Sequence, residues 1–456
     1  MEYISTRGGV TGISFSEAVM MGLAEDGGLL LPRAIPRVDH DTVERWRGFS
    51  YQELAFEVMS RFIDDIPAPD LKALITDSYA SFNDPAVAPM VHAGELHILE
   101  LFHGPTLAFK DIALQFLGNL FAYLLTKSGD QLNIIGATSG DTGSAVAHAY
   151  HGLDRVQVVV LFPIEEVSNR QRKQMTTLGD NVTTIGIEGQ FDDCQALVKR
   201  AFADPDLSAV RLTSANSINI GRLLPQAVYY FYAYIKLAQA ERAEPILFSV
   251  PSGNFGDMMG GVIARRMGLP IDRLIIATNA NDEVPVFLRT GRYQKISPSR
   301  VCISNAMNVG HPSNLARLVD VYGGWLDETG QLREPPDLPR MVADLYAVSI
   351  SDDQTRATIK ESYERFGVIL EPHGAVGWAG LESYLNDHPE ATDVLAVSIE
   401  TAHPAKFPEE IQATIGINPE LPPSLVGLED RRENYGTMST GYEPLRDLLL
   451  ARFAGR

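Results

Sequence analysis

The sequence predicts two doubly wound α/β domains facing one another across a cleft, with an N-terminal extension packed beside them. Three observations predict this. From Gln131 to about Arg211, short β-branched runs alternate with amphipathic segments; a second such series opens after an aromatic helix expected over Leu223 to Leu237; and each series carries a Gly-rich turn between a strand and a helix. The 456 residues correspond to about three domain-sized units. These are expected at 1–100 for the extension, 101–225 for a small α/β domain and 226–456 for a large one.

In chain order, the first hundred residues are mixed and Pro-containing, with one helix expected over Tyr51 to Ile63. Leu132 to Ile135 reads as a strand, Gly136 to Gly143 as its turn and Ser144 to Tyr150 as the helix that follows. Val156 to Phe162 is a fully apolar strand stopped by Pro163. Val167 to Leu178 is helical, Val182 to Ile187 is a third strand, and Asp192 to Phe202 is a third helix that Asp192 or Asp193 can cap. Pro245 punctuates the entry to strand Ile246 to Val250; the turn Pro251 to Asp257, a helix from about Met258 to Met267 and strand Leu274 to Thr278 come next. A long irregular stretch is expected to about His311, loops near Pro335 and Pro422, and a late strand at Val394 to Ile399.

The formal charge of −20 is spread through both halves of the chain, which argues for solubility and against nucleic-acid or anionic-membrane partners. Cys194 and Cys302 have neither Cys-x-x-Cys nor zinc spacing and are expected to be small buried hydrophobes in a reducing compartment. The N-terminus lacks the pattern of a secretory signal, and no apolar run approaches the roughly 18 residues that span a bilayer, so a cytoplasmic protein is expected. His148 and His151 share a helical face without a third ligand, so no metal is expected.

Chemistry concentrates in three places. Lys110 is flanked by Leu107, Ala108 and Phe109 and by Ile112, Ala113 and Leu114. Desolvation there should lower its pKa until the neutral amine can attack an aldehyde; the alternative is a lysine snorkelling from a helix end. The turn Gly136-Ala-Thr-Ser-Gly-Asp-Thr-Gly143 enters a helix and so seats an anion on free backbone N–H groups. Its G-x-x-x-G-x-x-G spacing is neither the dinucleotide nor the Walker pattern, although Glu165 stands where a ribose-binding acid would. The turn Ser252-Gly-Asn-Phe-Gly-Asp257 is a second anion seat, where Gly253 and Gly256 allow close backbone approach. The late strand ends in Glu400-Thr-Ala-His-Pro-Ala-Lys406, with Thr401 as a hydroxyl able to reach the crevice.

The segments Tyr3 to Arg7, Ala24 to Leu29, Phe102 to Asp111, Ala137 to Ser144, Gln174 to Thr177, Asn216 to Asn219, Ser252 to Asp257 and Glu400 to Phe407 together resemble the threonine synthases, pyridoxal-phosphate enzymes of fold-type II. The resemblance implies pyridoxal 5'-phosphate held by Lys110 as a Schiff base, with its phosphate on Gly253, Asn254, Phe255, Gly256 and Asp257. It further implies Thr401 facing the pyridine nitrogen, which as a neutral hydroxyl is not expected to hold that nitrogen protonated. Asp141 would lie near the cofactor's 3-oxygen, where relatives often have Asn. Thr138, Ser139, Gly140, Thr142 and Asn219 would bind the substrate, with Arg170, Lys173 and Arg222 as candidate cations for its phosphate. The implied reaction is γ-elimination of phosphate from O-phospho-L-homoserine and β-addition of water to give L-threonine, the last step of threonine biosynthesis. Asn308 and Ile220 depart from the family pattern and leave open a phospholyase acting on phosphothreonine or a related phospho-amino acid.

Overall fold

Runs of valine and isoleucine too apolar to face water on either side build two largely parallel sheets, the arrangement that helices on both faces require. The computed structural model describes residues 1–94, 96–210, 212–240 and 242–453. One sheet runs in the spatial order Leu345–Ser349, Ile271–Thr278, Ile246–Pro251, Leu395–Glu400, Leu96–Glu100 and Met90–Ala93, parallel except for the last pair. The other runs Gly436–Met438, Val182–Ile187, Val156–Pro163, Leu132–Ala137 and Leu212–Thr213, all parallel.

Strand order crosses the boundaries expected from the sequence. Met90–Ala93 and Leu96–Glu100 pair into the large sheet, so the extension stops short of residue 100. At the other end, Gly436–Met438 joins the small sheet, and Leu445 and Leu449 of helix Tyr442–Phe453 enter the core formed by Ile185, Phe191 and Leu197. A strand-length apolar run does not encode which sheet it joins; that choice is made by long-range pairing.

Helix Leu223–Leu237 is found as expected, whereas several other elements shift. Helix Tyr51–Met59 ends before Ile63, and Asn169–Thr176 starts later than expected because Ser168 and Gln171 form a capping box there, and it ends before Leu178. Asp192 and Asp193 are not the cap of the third helix: Gln190 caps Phe191–Ala203, and Asp193 accepts the Gln190 N–H in return. The stretch expected to be irregular contains helix Glu283–Thr290. Both anion turns enter helices earlier than expected, at Asp141 and Gly256. Arg211, the end of the first series, lies outside the described residues.

Candidate active site

Lys110 is the first residue of helix Lys110–Ser128, and the loop before it is closed by Asp111, whose carboxylate accepts from the Thr106 N–H at 2.8 Å and the Thr106 hydroxyl at 2.7 Å. The loop is tied to the end of strand Leu395–Glu400. Ala108 bridges Ala402, the Phe109 N–H donates to the Thr401 carbonyl at 2.8 Å, and the His403 N–H donates to the Leu107 carbonyl at 3.1 Å. The ammonium lies 4.7 Å from the Phe109 ring centroid and is buried, so it does not snorkel. Burial pushes Lys110 down to about 8; Asp141 opposes this, while Arg222 and Lys406 add to it.

Asp141, at the start of helix Asp141–Tyr150, stands between two lysines. Its Oδ1 is 2.7 Å from Lys406 Nζ and accepts from Gln171 at 3.0 Å, and its Oδ2 is 3.9 Å from Lys110 Nζ. Burial alone would push this carboxyl up, but Lys406 and then Lys110 overrule it and hold it well below the usual carboxylate range. Lys406 is fully buried and also donates to the Thr106 carbonyl at 2.9 Å.

In the first turn, Thr138 is spent on structure: its hydroxyl oxygen accepts from the N–H groups of Gly140 and Gly143 at 3.0 and 2.7 Å. Ser139 and Thr142 line a cavity of about 590 Å³ together with Lys110, Asp141 and Thr401. Gly140 has φ 131°, a backbone state open essentially to glycine, and a Cβ there would sit 2.6 Å from Gln171. Gly140→Ala is therefore expected to cost about 2 kcal/mol. Urea denaturation of the two proteins measures it, and a change within the error of the method would contradict the strain argument.

The second turn closes the opposite side of the same cavity. Phe255 is left-handed with φ 64°, and helix Gly256–Met267 starts behind it, leaving first-turn N–H groups without intrahelical acceptors. A Cβ on Gly253 would lie 3.0 Å from the Ala306 carbonyl oxygen, so only glycine fits without movement. The Asn254 side-chain oxygen accepts from the Ser313 N–H at 3.4 Å, which turns this side chain toward the loop. Asp257 aims elsewhere: its Oδ1 accepts from Tyr229 and Tyr230 at 2.5 and 2.7 Å, and burial pushes it up to about 6 against those bonds. Arg222 Nε, Gln226 Oε1 and Asp257 Oδ2 are buried on this wall without hydrogen-bond partners. Of these, the Arg222 Nε–H is a donor and fits a phosphate-bearing ligand, because a buried donor left unpaired is costly unless something binds it, whereas the two oxygens are acceptors that a phosphate does not satisfy.

Several expected site residues lie elsewhere. Arg170 pairs with Glu429 and donates to the Ala405 carbonyl, Lys173 donates to the Glu429 carbonyl, and neither lines the cavity. Asn219 is fully buried behind the wall, capping the 3₁₀ turn Ile220–Arg222 and donating to the Val19 carbonyl. Arg222 does line the cavity, and burial lowers it to about 10. Sequence reading missed Arg7, Lys199, His311, Glu371, His373 and the role of Lys406. Arg7 and Lys406 fall inside family-like segments and Glu371 precedes Pro372 at a helix start, which were the available signals; the others are brought in by topology. Asn308 accepts from Asn279 at 3.0 Å and from the Cys302 N–H at 3.1 Å, and Ile220 is core, so neither departure touches the cavity.

A cleft between two α/β sheets, holding a desolvated lysine between two anion-seating helix starts, defines a pyridoxal-phosphate-dependent enzyme. The sequence matches the family described as pyridoxal-phosphate dependent enzyme over residues 91–399, threonine synthase N terminus over 2–79 and threonine synthase, C-terminal over 374–448. The threonine synthase of Pseudomonas aeruginosa is 42% identical over 95% of this chain and 94% of its own, and that of Escherichia coli is 38% identical over 96% of each. The pyridoxal-phosphate-bound threonine synthase from Brucella melitensis superposes with a TM-score of 0.90 at 38% identity, covering 99% of both chains. The yeast threonine synthase structure gives 0.88 at 36% identity, also covering 99% of both. The chain belongs to the threonine synthase family and uses pyridoxal phosphate.

Proposed function

We propose that this protein, in the cytoplasm, expels phosphate from O-phospho-L-homoserine and adds water at the adjacent carbon to give L-threonine. The observation that carries this reading is the buried Lys110 amine between two anion seats in one cavity of a chain similar to threonine synthases along its whole length. Bound pyridoxal phosphate supplies the electron sink that makes protons near the substrate amine acidic. The chain's own groups do the rest. Gly253, Asn254, Phe255 and Gly256 cradle the cofactor phosphate with backbone N–H groups, while Asp257, engaged by two tyrosines, fixes the helix start. Lys110 tethers the cofactor and, once freed, its Nζ accepts the substrate's Cα proton. Ser139, Gly140 and Thr142 receive the substrate carboxylate, with Thr138 holding their turn. Asp141 with Lys406 faces the cofactor's 3-oxygen, and Thr401 faces the ring nitrogen.

For the substrate phosphate, Arg222 and Lys199 replace Arg170 and Lys173. Both line the cavity without a carboxylate partner among the described residues, whereas Arg7 on the same wall pairs with Glu328. The deciding experiment incubates the loaded enzyme with phosphohomoserine, phosphothreonine and phosphoserine, measuring released phosphate and identifying the organic product. Threonine from phosphohomoserine is expected. Phosphate release from phosphothreonine alone would replace this reading with the phospholyase one.

The state of Lys110 sets a pH dependence for loading. With a pKa of about 8 in place of 10.5, the amine is roughly 10% neutral at pH 7 and roughly 90% neutral at pH 9. Only the neutral amine attacks an aldehyde, so covalent capture of pyridoxal phosphate by the apoprotein should accelerate by about tenfold across that interval and then level off. A rate still climbing beyond pH 10 would mean that Lys110 is an ordinary lysine.

A further inference from the structure

Behind Thr401 lies a buried carboxylate that the reaction as described does not use. Glu371 precedes helix Pro372–Asp387 and is fully buried. Its Oε1 accepts from the Thr401 hydroxyl at 3.3 Å and the Gly374 N–H at 3.0 Å; its Oε2 accepts from the His373 N–H at 2.8 Å and from His373 Nδ1. The ring's other nitrogen, Nε2, accepts the Ala306 N–H at 3.0 Å, which leaves the ring hydrogen on Nδ1, pointing at Glu371. Four donors thus converge on the two oxygens of Glu371. Burial and then the neighbouring Glu371 push the Glu400 carboxyl well above its ordinary range, and its Oε1 accepts the Glu371 N–H at 2.8 Å.

Thr401 has one hydrogen, and in this arrangement it is committed to Glu371. Its oxygen therefore meets the cavity as an acceptor. Resting on the reading above that Thr401 faces the ring nitrogen, we propose that Glu371 is a positioning residue that turns the Thr401 oxygen toward that nitrogen and so keeps the nitrogen protonated. A threonine alone could either donate or accept and would leave the ring neutral. A threonine whose hydrogen is held by a buried carboxylate favours a donor opposite it. The expectation that a neutral hydroxyl weakens the electron sink is then reversed, although no acid touches the ring.

The test uses the full chain loaded with pyridoxal phosphate carrying ¹⁵N at the ring nitrogen. The nitrogen resonance of the resting protein should fall in the pyridinium range, move to the neutral-pyridine range in Glu371→Gln and in Thr401→Ala, and stay in the pyridinium range in Thr401→Ser. Should Glu371→Gln fail to fold, the Thr401→Ser and Thr401→Ala pair decides alone. A neutral-pyridine shift in the unaltered protein overturns the proposal, as does a pyridinium shift that persists in Thr401→Ala. Borohydride reduction and peptide mass analysis of the same samples separate the two layers. In the unaltered protein, a labelled Lys110 with a neutral ring nitrogen overturns the role of Glu371 only, and an unlabelled Lys110 overturns the site assignment beneath it.

Discussion

Replacing Lys110 with alanine is expected to abolish covalent capture of pyridoxal phosphate and to slow phosphate release from O-phospho-L-homoserine by at least about 10³-fold. One side chain serves as tether and base, so a single deletion removes both contributions. Lys406 is not expected to substitute, because its amine is held by Asp141 at 2.7 Å and by the Thr106 carbonyl at 2.9 Å. The fold should persist, since Asp141 keeps its shorter ion pair when Lys110 is gone. Borohydride labelling followed by peptide mapping reads the capture, and a phosphate-release assay reads the rate. Activity within tenfold of the unaltered protein, or label recovered on another lysine, would remove Lys110 from the centre of the chemistry.

Lys406→Met should have the second largest effect, for a different physical reason. It leaves Asp141 as a buried carboxylate with only the more distant Lys110 beside it, and breaking a buried pair this way typically costs about 3–5 kcal/mol. The Asp141→Asn and Lys406→Met double variant should recover most of that loss, because the uncompensated charge disappears with its partner. Urea denaturation of the four proteins of the cycle measures the coupling. Removing Lys406 also takes away one of the cations that depress Lys110, so the Lys110 amine should be more fully protonated at pH 7 and capture the cofactor more slowly. Additive losses across the cycle would show that the pair is not energetically coupled.

What could be read from the sequence was what is local. The strand–turn–helix units at Gly136 and Pro251 announce themselves through glycine and alternating runs, and both turns line the cavity. The setting of Lys110 was legible for the same reason: its apolar neighbours are adjacent in the chain. Arg170 and Lys173 were misjudged because nearness along the chain to a family-like segment is not nearness in space; helix Asn169–Thr176 turns both outward toward Glu429. Glu371 carried a usable signal that went unread, an acidic residue before Pro372 at the start of a helix, although nothing local could say that its carboxylate also reaches Thr401. The sheet memberships of Met90–Ala93, Leu96–Glu100 and Gly436–Met438 were illegible in principle, because their partners are hundreds of residues away or joined by pairing alone.

The tie between the loop before Lys110 and residues 401–406 also bears on how the protein is made. During synthesis the lysine leaves the ribosome about 300 residues before Lys406, which at some 5–20 residues per second is an interval of tens of seconds. Until that later segment arrives, Lys110 lacks Thr401 beside it, the large sheet lacks its strand Leu395–Glu400, and Asp141 has no Lys406. The nascent chain can therefore expose an amine but cannot enclose a cofactor. Capture of pyridoxal phosphate should mark the near-completion of translation, and ribosome-bound chains arrested ahead of residue 395 should emerge unloaded even in excess cofactor.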